Sequence, residues 1–192
     1  TGTSGGGTQT TFLAPLDDRL QAVAPSCYIM TQEKKFLTQG AADGCQQLAN
    51  EGLVGLDHID YLTMFAPKPV IILAARKDYF DIEATRGAYQ EAKRFYEALG
   101  APDRVAMFES DEAHGFRQPH REAAVGWMRR WLVQDDRPVE EPENLVTQND
   151  EDIQVTTTGQ VLSDWPDEVS VGDLNVLRAR ELLAQQRAFW TG

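Results

Sequence analysis

One stretch of the sequence restricts the fold more than any other. Residues 69–76 read PVIILAAR, and the run from Val70 to Ala75 contains no polar side chain. A strand with one face in water alternates apolar and polar residues, whereas a strand covered on both faces does not. The run therefore predicts a central parallel strand in a sheet that carries helices on both sides.

Strands and helices alternate around this run. Further strands are predicted over 19–27 and 104–110, and helices over 6–16, before Pro67, over 81–99 and over 119–132. Asp81 and Gly100 carry the start and stop signals of the third helix. This order predicts an α/β fold with a doubly wound, mostly parallel sheet covered by helices.

The apolar faces of the last two helices can be assigned from helical spacing. In the helix over 81–99 the predicted inward residues are Ala84, Ala88, Ala92, Phe95, Tyr96 and Leu99. In the helix over 119–132 they are Val125, Met128, Trp131 and Leu132.

Composition and charge exclude several classes of partner. The chain is 42% hydrophobic and 25% charged, as in ordinary globular domains, and no apolar run approaches the length of a membrane span. The formal net charge is -12, made of -3 in residues 1–132 (14 basic, 17 acidic) and -9 in residues 133–192 (4 basic, 13 acidic). Acidity disfavours nucleic acid and anionic membranes as partners, while the nearly neutral body does not indicate a substrate.

A change of composition predicts the domain organisation. Residues 1–133 form the α/β body, and the acidic residues 134–152 read as a linker or a charged strap over the surface. Residues 153–192 then form an extension or the start of a second module, with a strand or hairpin arm over 153–161 and an amphipathic helix from 170 onward. This extension is too small to fold alone.

The first residues contain a motif for nucleophilic catalysis. Gly2-Thr3-Ser4-Gly5-Gly6 matches G-x-S-x-G, a strained strand-to-helix turn that presents a serine at the end of a strand. Glycines are needed because the turn brings backbone close to backbone. The motif gains weight only if an acid and a histidine follow it.

An acid and a histidine follow at the ends of two predicted strands. Asp78 comes two residues after PVIILAAR, and His114 follows the strand over 104–110. Ser…Asp…His is the chain order of α/β-hydrolases. His114 would take the proton of Ser4, Asp78 would orient the imidazole, and the Gly5 N–H would stabilise the oxyanion.

Other residues compete for these roles. The alternative acids are Asp81, Glu83 and Asp111, and the alternative histidines are His58, expected on a helix surface, and His120. The glycine run lacks the G-K-[ST] of a phosphate-binding loop, and the spacing indicates neither a metal cluster nor a cofactor. Cys27 and Cys45 could form a disulfide or remain buried thiols, which leaves the cellular compartment open.

Three segments together resemble α/β-hydrolases of the acetyl xylan esterase-like family, related to esterases encoded near bacterial polysaccharide-utilisation genes. They are GTSGGGTQTTFLAPLDDRLQAVAPSCYI, APKPVIILAARKDYFDIEATRGAYQEAKRFYEALG and DEAHGF, within residues 1–133. The resemblance places nucleophile, acid and base on Ser4, Asp78 and His114. It implies hydrolysis of acyl esters, with acetylated polysaccharide as the suggested substrate. Export to the periplasm or the medium would suit such a substrate, but the compartment stays open. The tail resembles the bridge to a second module in two-module members.

The position of the motif leads to a further expectation. No strand precedes Gly2, and the second oxyanion donor of this fold normally lies on an earlier loop. We therefore expect these residues to be the C-terminal portion of an α/β-hydrolase sheet, with an N-terminal portion of the same protein as their partner. We also expect the 192 residues alone to be unstable or inactive.

Three functions remain open at this stage. The first is a serine esterase directed at carbohydrate and needing no cofactor. The second is a serine peptidase of the prolyl-oligopeptidase type, which shares the fold and the triad order. The third is a non-catalytic hydrolase-like module that binds glycans or assembles a complex, against which the intact Ser4, Asp78 and His114 argue.

Overall fold

The structure is a computed structural model that describes residues 1–38 and 44–191, apart from the side chains of Cys45 and Thr191. The chain divides into two compact units, Thr1–Glu143 and Asn144–Gly192. None of the helices in the described ranges is long and apolar enough to cross a lipid bilayer.

The first unit confirms the predicted α/β architecture. Its strands are β1 (Gly2–Thr3), β2 (Pro25–Ser26), β3 (Val70–Lys77) and β4 (Val105–Ala113), all parallel and ordered β1-β2-β3-β4. Its helices are α1 (Gly5–Leu13), α2 (Gln32–Thr38), α3 (His58–Phe65), α4 (Ile82–Ala98) and α5 (Gln118–Val133). Single 3-10 turns lie at Gly44–Gln46, Glu51–Leu53 and Pro102–Arg104.

Burial on both faces explains the apolar run of β3. Val70 and Ile72 pack into a core with residues of α3 and α4, while Ile71 and Leu73 pack into a second core with Ala124 and Trp127 of α5. Each face of the strand is thus covered by helix, as the sequence predicted.

The strand predicted over 19–27 is shorter than expected. Only Pro25–Ser26 forms a regular strand, preceded by a single bridge between Val23 and Val70. Pro25 has no N–H to donate to a ladder, and Cys27 leaves the extended region with φ 49°. The segment therefore runs beside β3 without forming a continuous ladder.

Two of the predicted helix faces are partly wrong. On α4 the buried stripe is Ala84, Ala88, Ala92 and Tyr96, while Phe95 and Leu99 lie half in solvent. On α5, Ala124 and Trp127 are buried and Met128 and Trp131 pack beside them, whereas Val125 and Leu132 are about half exposed. The buried stripe of α4 is narrower than the sequence pattern indicated, and that of α5 is shifted toward Ala124 and Trp127.

The acidic segment after α5 starts as a strap on the first unit. Arg121 of α5 holds the Glu141 carboxylate through two hydrogen bonds of 2.5 Å, and Arg129 pairs with Asp135. Residues 135–141 are thereby tied to α5.

The second unit is helical. It contains α6 (Asp150–Ile153), α7 (Val161–Asp164) and α8 (Val171–Thr191). The predicted helix from 170 onward is confirmed, but the strand or hairpin arm predicted over 153–161 is wrong. Gly159 adopts φ 74° there, which ends any extended run. The Asp164 carboxylate accepts hydrogen bonds from the N–H and hydroxyl of Thr158, so the segment forms a turn.

Candidate active site

Ser4 sits in a strained turn between β1 and α1. Its φ and ψ are 54° and -119°, a conformation that costs a non-glycine residue about 1–3 kcal/mol. A Cβ on Gly2 would lie 2.6 Å from the carbonyl carbon of Gly6, and one on Gly7 would lie 2.6 Å from the Ser26 carbonyl oxygen. Around Gly6 itself the space is open. The turn thus needs glycine at positions 2 and 7.

Backbone hydrogen bonds hold this turn against the sheet. The Ser4 N–H donates to the Ser26 carbonyl at 3.0 Å, and the Ser4 carbonyl accepts from the Thr8 N–H at 2.9 Å. Gly5 is the first residue of α1, so its N–H has no acceptor within the helix. The Ser4 Oγ accepts a 3.4 Å hydrogen bond from Nε2 of the buried Gln46.

Asp78 and His114 form a hydrogen-bonded pair at the same edge of the sheet. Asp78 follows β3 and His114 follows β4, so the parallel strands deliver them side by side. His114 Nδ1 lies 2.9 Å from both carboxylate oxygens of Asp78. The Asp78 side chain is 1% exposed and the His114 side chain 25% exposed. The Phe80 N–H also donates to Asp78 Oδ1 at 3.2 Å.

This pairing determines the tautomer of His114. A carboxylate only accepts hydrogen bonds, so Nδ1 carries the proton and a neutral ring keeps a free lone pair on Nε2. The Tyr79 hydroxyl lies 3.0 Å from Nε2 and therefore donates to it. The Tyr79 ring also lies against the imidazole, with centroids 4.4 Å apart. The lone pair that a general base would use is thus engaged by Tyr79.

The structure therefore joins two of the three predicted catalytic residues directly. Asp78 and His114 contact each other, whereas Ser4 is hydrogen-bonded to Gln46 and His114 Nε2 to Tyr79. All three lie after C-terminal ends of strands in one parallel sheet, the edge where α/β folds bind ligands.

The alternative acids are engaged elsewhere. The Asp81 carboxylate caps α4 by accepting the Ala84 N–H at 2.8 Å. Asp111 pairs with Lys77 at 2.9 Å, and Glu83 pairs with Arg86 at 2.5 Å. Asp78 is the carboxylate that accepts from His114.

The alternative histidines are both buried, and the surface position predicted for His58 is wrong. His58 stacks on Tyr28 at 4.3 Å and accepts the Met30 N–H at Nδ1. Burial, and then the ammonium of Lys35, lower the pKa of His58 to about 3. His120 instead contacts the Ala74 carbonyl through Nε2 at 3.1 Å, and its Nδ1 lies 3.1 Å from the Ser26 hydroxyl.

Three residues near the site were not predicted from the sequence. Tyr79 is adjacent to Asp78 in the chain, and Cys27 follows β2 as Asp78 follows β3, so strand ends were the available signal. Gln46 carried no such signal. Cys27 is buried, and desolvation raises the pKa of its thiol. Its possible pairing with Cys45 involves a side chain outside the described residues.

A groove lies between α2 and residues 47–57. It encloses about 360 Å³, and its lining includes Gln32, Phe36, Asn50 and Glu51. Its wall also includes Gln47, the residue after the Ser4 partner Gln46. Amide side chains beside an aromatic ring suit a hydroxyl-rich ligand, while the Glu51 carboxylate already accepts hydrogen bonds from Gln32 and Tyr61.

Comparisons with solved structures show the fold. Methylesterase BT1017 superposes with a TM-score of 0.53 at 24% identity, covering 69% of this chain and 29% of its own. A carbohydrate esterase family 15 glucuronoyl esterase from Caldicellulosiruptor kristjansonii gives 0.59 at 16% identity, covering 76% and 46%. An acylaminoacyl peptidase from Pyrococcus horikoshii gives 0.51 at 17% identity, covering 72% and 24%.

These similarities are structural. The chain spans less than half the length of each of these three proteins. No protein-family model and no curated protein matches the chain. The comparisons thus show that the aligned part of this chain has the α/β-hydrolase fold.

Proposed function

We propose that this chain carries the catalytic residues of a serine hydrolase that cleaves carboxylic esters of carbohydrates. The observation that carries the proposal is the Asp78–His114 hydrogen-bonded pair at the sheet edge where the strained Ser4 turn also lies. A buried carboxylate that fixes the tautomer of a partly exposed imidazole is the arrangement that general-base catalysis requires.

The proposed reaction assigns one task to each residue. Ser4 Oγ attacks the ester carbonyl while His114 Nε2 takes its proton, and the Gly5 N–H donates to the developing oxyanion. Asp78 stabilises the imidazolium, which then protonates the leaving alcohol. Water attacks the acyl-Ser4 ester in the second half of the reaction, again with His114 as base.

Catalysis needs Ser4 Oγ and His114 Nε2 to come together, because each is now hydrogen-bonded to another residue. His114 Nε2 can accept the Ser4 proton only after the Tyr79 hydroxyl, now 3.0 Å away, releases it. Because Tyr79 is 55% exposed, its side chain can turn toward solvent without unpacking the core. His114 can therefore act as the base only after the Tyr79 hydroxyl has moved away from Nε2.

Two observations support a carbohydrate ester as substrate. Structures with this fold include a methylesterase and several glucuronoyl esterases, and the groove near Gln46 is lined with amides, a carboxylate and an aromatic ring. The sequence resemblance favours an acetylated polysaccharide, in which the sugar is the alcohol of the ester. The glucuronoyl esterases favour a uronate ester, in which the sugar is the acid.

Fluorophosphonate labelling of the natural, untruncated protein followed by peptide mapping tests the proposal, because such probes report a serine activated by a base. We expect the adduct on the Ser4 peptide, and we expect His114→Ala to abolish it. Asp78→Asn should slow labelling about 10³- to 10⁴-fold because the imidazole tautomer is lost. Asp111→Asn is the matched control, since it removes an exposed carboxylate on the next strand and should leave labelling unchanged.

Substrate class is then read from a panel of chromogenic acetates, acetylated xylo-oligosaccharides, methyl glucuronate esters and peptide anilides. Turnover of a carbohydrate ester supports the proposal, and the preferred ester distinguishes its two forms. Cleavage of the anilide alone would identify a peptidase, as in the acylaminoacyl peptidase that shares the fold. A folded protein that neither labels nor turns over any substrate would be a binding module.

A further inference from the structure

A thiol lies beside the Asp78–His114 pair. Cys27 Sγ, a carboxylate oxygen of Asp78 and a ring nitrogen of His114 all lie within 4.8 Å of one another. Cys27 is 2% exposed. The three residues are separated by 51 and 36 positions in the sequence, so their spacing gives no sign of a shared site. The fold assembles a thiol, a carboxylate and an imidazole at one point.

These three groups are a ligand set for a thiophilic divalent cation. Zinc is bound tetrahedrally by sulfur, nitrogen and oxygen ligands at about 2.0–2.3 Å, which separates neighbouring ligand atoms by about 3.3–3.6 Å. The distance of 2.9 Å between Nδ1 and the carboxylate is shorter than this ligand separation. The largest separation within the group, up to 4.8 Å, is longer. Movements of about 1 Å would bring all three onto one ion.

The surroundings show how an ion would enter. The cavity lined by Cys27, Asp78 and Phe80 is too small to hold a water molecule, so an ion would need space to open there. His114 is the exposed member of the group, at 25%. Entry therefore requires the His114 ring to swing away from Asp78, and the ion replaces the Nδ1–H hydrogen bond.

We propose that Cys27, Asp78 and His114 bind Zn²⁺ or a similar thiophilic cation at the expense of the Asp78–His114 hydrogen bond. The Cys27 thiol loses its proton to solvent and binds as the thiolate. The His114 proton moves from Nδ1 to Nε2, which leaves the Nδ1 lone pair for the metal, and Asp78 binds as the carboxylate. The balance is one proton released for each ion bound, with a water as fourth ligand.

Such binding would prevent His114 from acting as a base, a consequence that rests on the proposed function. In the metal-bound form Nε2 carries a proton and cannot accept one from Ser4. Tyr79, 3.0 Å from Nε2, then becomes the acceptor of that hydrogen bond. The chain would thus be a hydrolase inhibited reversibly by zinc.

Cobalt spectroscopy on the full chain tests the site without reference to catalysis. Co²⁺ added to metal-free protein should give a sulfur-to-cobalt charge-transfer band and tetrahedral d–d bands, and Zn²⁺ should displace them with release of one proton per ion. Cys27→Ser and His114→Ala should each abolish the band or weaken binding by at least about 10- to 100-fold, since even outer-shell partners contribute that much. Cys45→Ser is the matched control, which removes the only other thiol of the chain and should leave the band unchanged.

A second measurement on the unmutated chain covers the case in which a variant does not fold. Zn²⁺ should protect Cys27 from alkylation by iodoacetamide in limiting urea, read by peptide mapping. A folded chain without a charge-transfer band and without protection, or a band that depends on Cys45, would overturn the metal site. Fluorophosphonate labelling in metal-free buffer reads the proposed function separately, so failure of one proposal is distinguishable from failure of the other.

Discussion

Gly6 and Gly7, in the first turn of α1 after Ser4, make different steric demands, and this difference gives the sharpest prediction for the turn at Ser4. A Cβ on Gly7 would lie 2.6 Å from the Ser26 carbonyl oxygen and 2.9 Å from Tyr28 Cβ, where ordinary contacts begin at 3.4 Å. A Cβ on Gly6, the neighbouring residue, would meet open space. We therefore compare Gly7→Ala with Gly6→Ala.

The magnitude follows from the atoms involved. Overpacking at a buried site costs about 1–3 kcal/mol, and the clash falls on the oxygen that accepts the Ser4 N–H, a hydrogen bond worth about 0.5–1.5 kcal/mol. Alanine regains about 0.5–1 kcal/mol of helix propensity at either position. Gly7→Ala should thus lose about 2 kcal/mol of unfolding free energy, while Gly6→Ala should gain about 0.5–1 kcal/mol.

Urea denaturation measures the difference. With an m-value of about 2 kcal/mol/M, the midpoints of the two variants should differ by about 1.5 M. Circular dichroism follows the transition, and amide exchange of peptides from β3 reports the first unit separately. Ser4 labelling should fall in Gly7→Ala and persist in Gly6→Ala, because only the former displaces α1 from Ser26. Equal midpoints, or a larger loss in Gly6→Ala, would refute the geometry assigned to the turn.

Three further predictions concern neighbouring groups. Tyr79→Phe should speed fluorophosphonate labelling about 2- to 12-fold, because it removes a competing hydrogen bond to His114 worth about 0.5–1.5 kcal/mol. Tyr89→Phe is the control, and slower labelling in Tyr79→Phe would assign Tyr79 a supporting role instead. Because the pKa of His58 is lowered to about 3, the unfolded state binds the extra proton and the unfolding free energy should fall by about 2 kcal/mol from pH 7 to pH 5; His58→Gln should flatten this dependence, and an unchanged slope would contradict it. Asp81→Ala should cost about 1 kcal/mol in urea denaturation through loss of the α4 cap, with Ser4 labelling retained; strongly reduced labelling would instead place Asp81 in the catalytic site.

The proposed function and the proposed metal site share His114 but place its Nδ1 proton differently. In the proposed hydrolase mechanism, Nδ1–H donates to Asp78 and Nε2 accepts the proton of Ser4. With a metal bound, Nδ1 is a ligand and Nε2 carries the proton. The present geometry, with Nδ1 2.9 Å from both carboxylate oxygens, corresponds to the first arrangement. Competition between the two arrangements is what would make zinc an inhibitor.

The sequence determined the fold class and the order of the candidate residues. The apolar run of β3 required cover on both faces, which restricts a chain to a helix-covered parallel sheet. Because chemistry in such sheets gathers at the C-terminal ends of strands, Asp78 and His114 could be predicted from their positions after β3 and β4. Local signals were equally reliable where a backbone group has few alternatives, as at the Asp81 cap and at Gly100.

Only the tertiary structure decided which groups meet. The burial of His58 against Tyr28 and the exposure of Phe95 depend on which neighbouring element covers each side, and helical periodicity fixes a face only to within a residue or two. The contact of Tyr79 with His114, and the meeting of Cys27 with both catalytic candidates, join residues from separate strand ends. Sequence spacing carries no information about such contacts, because the distance between two strand ends is set by the pairing of the sheet rather than by the number of residues between them.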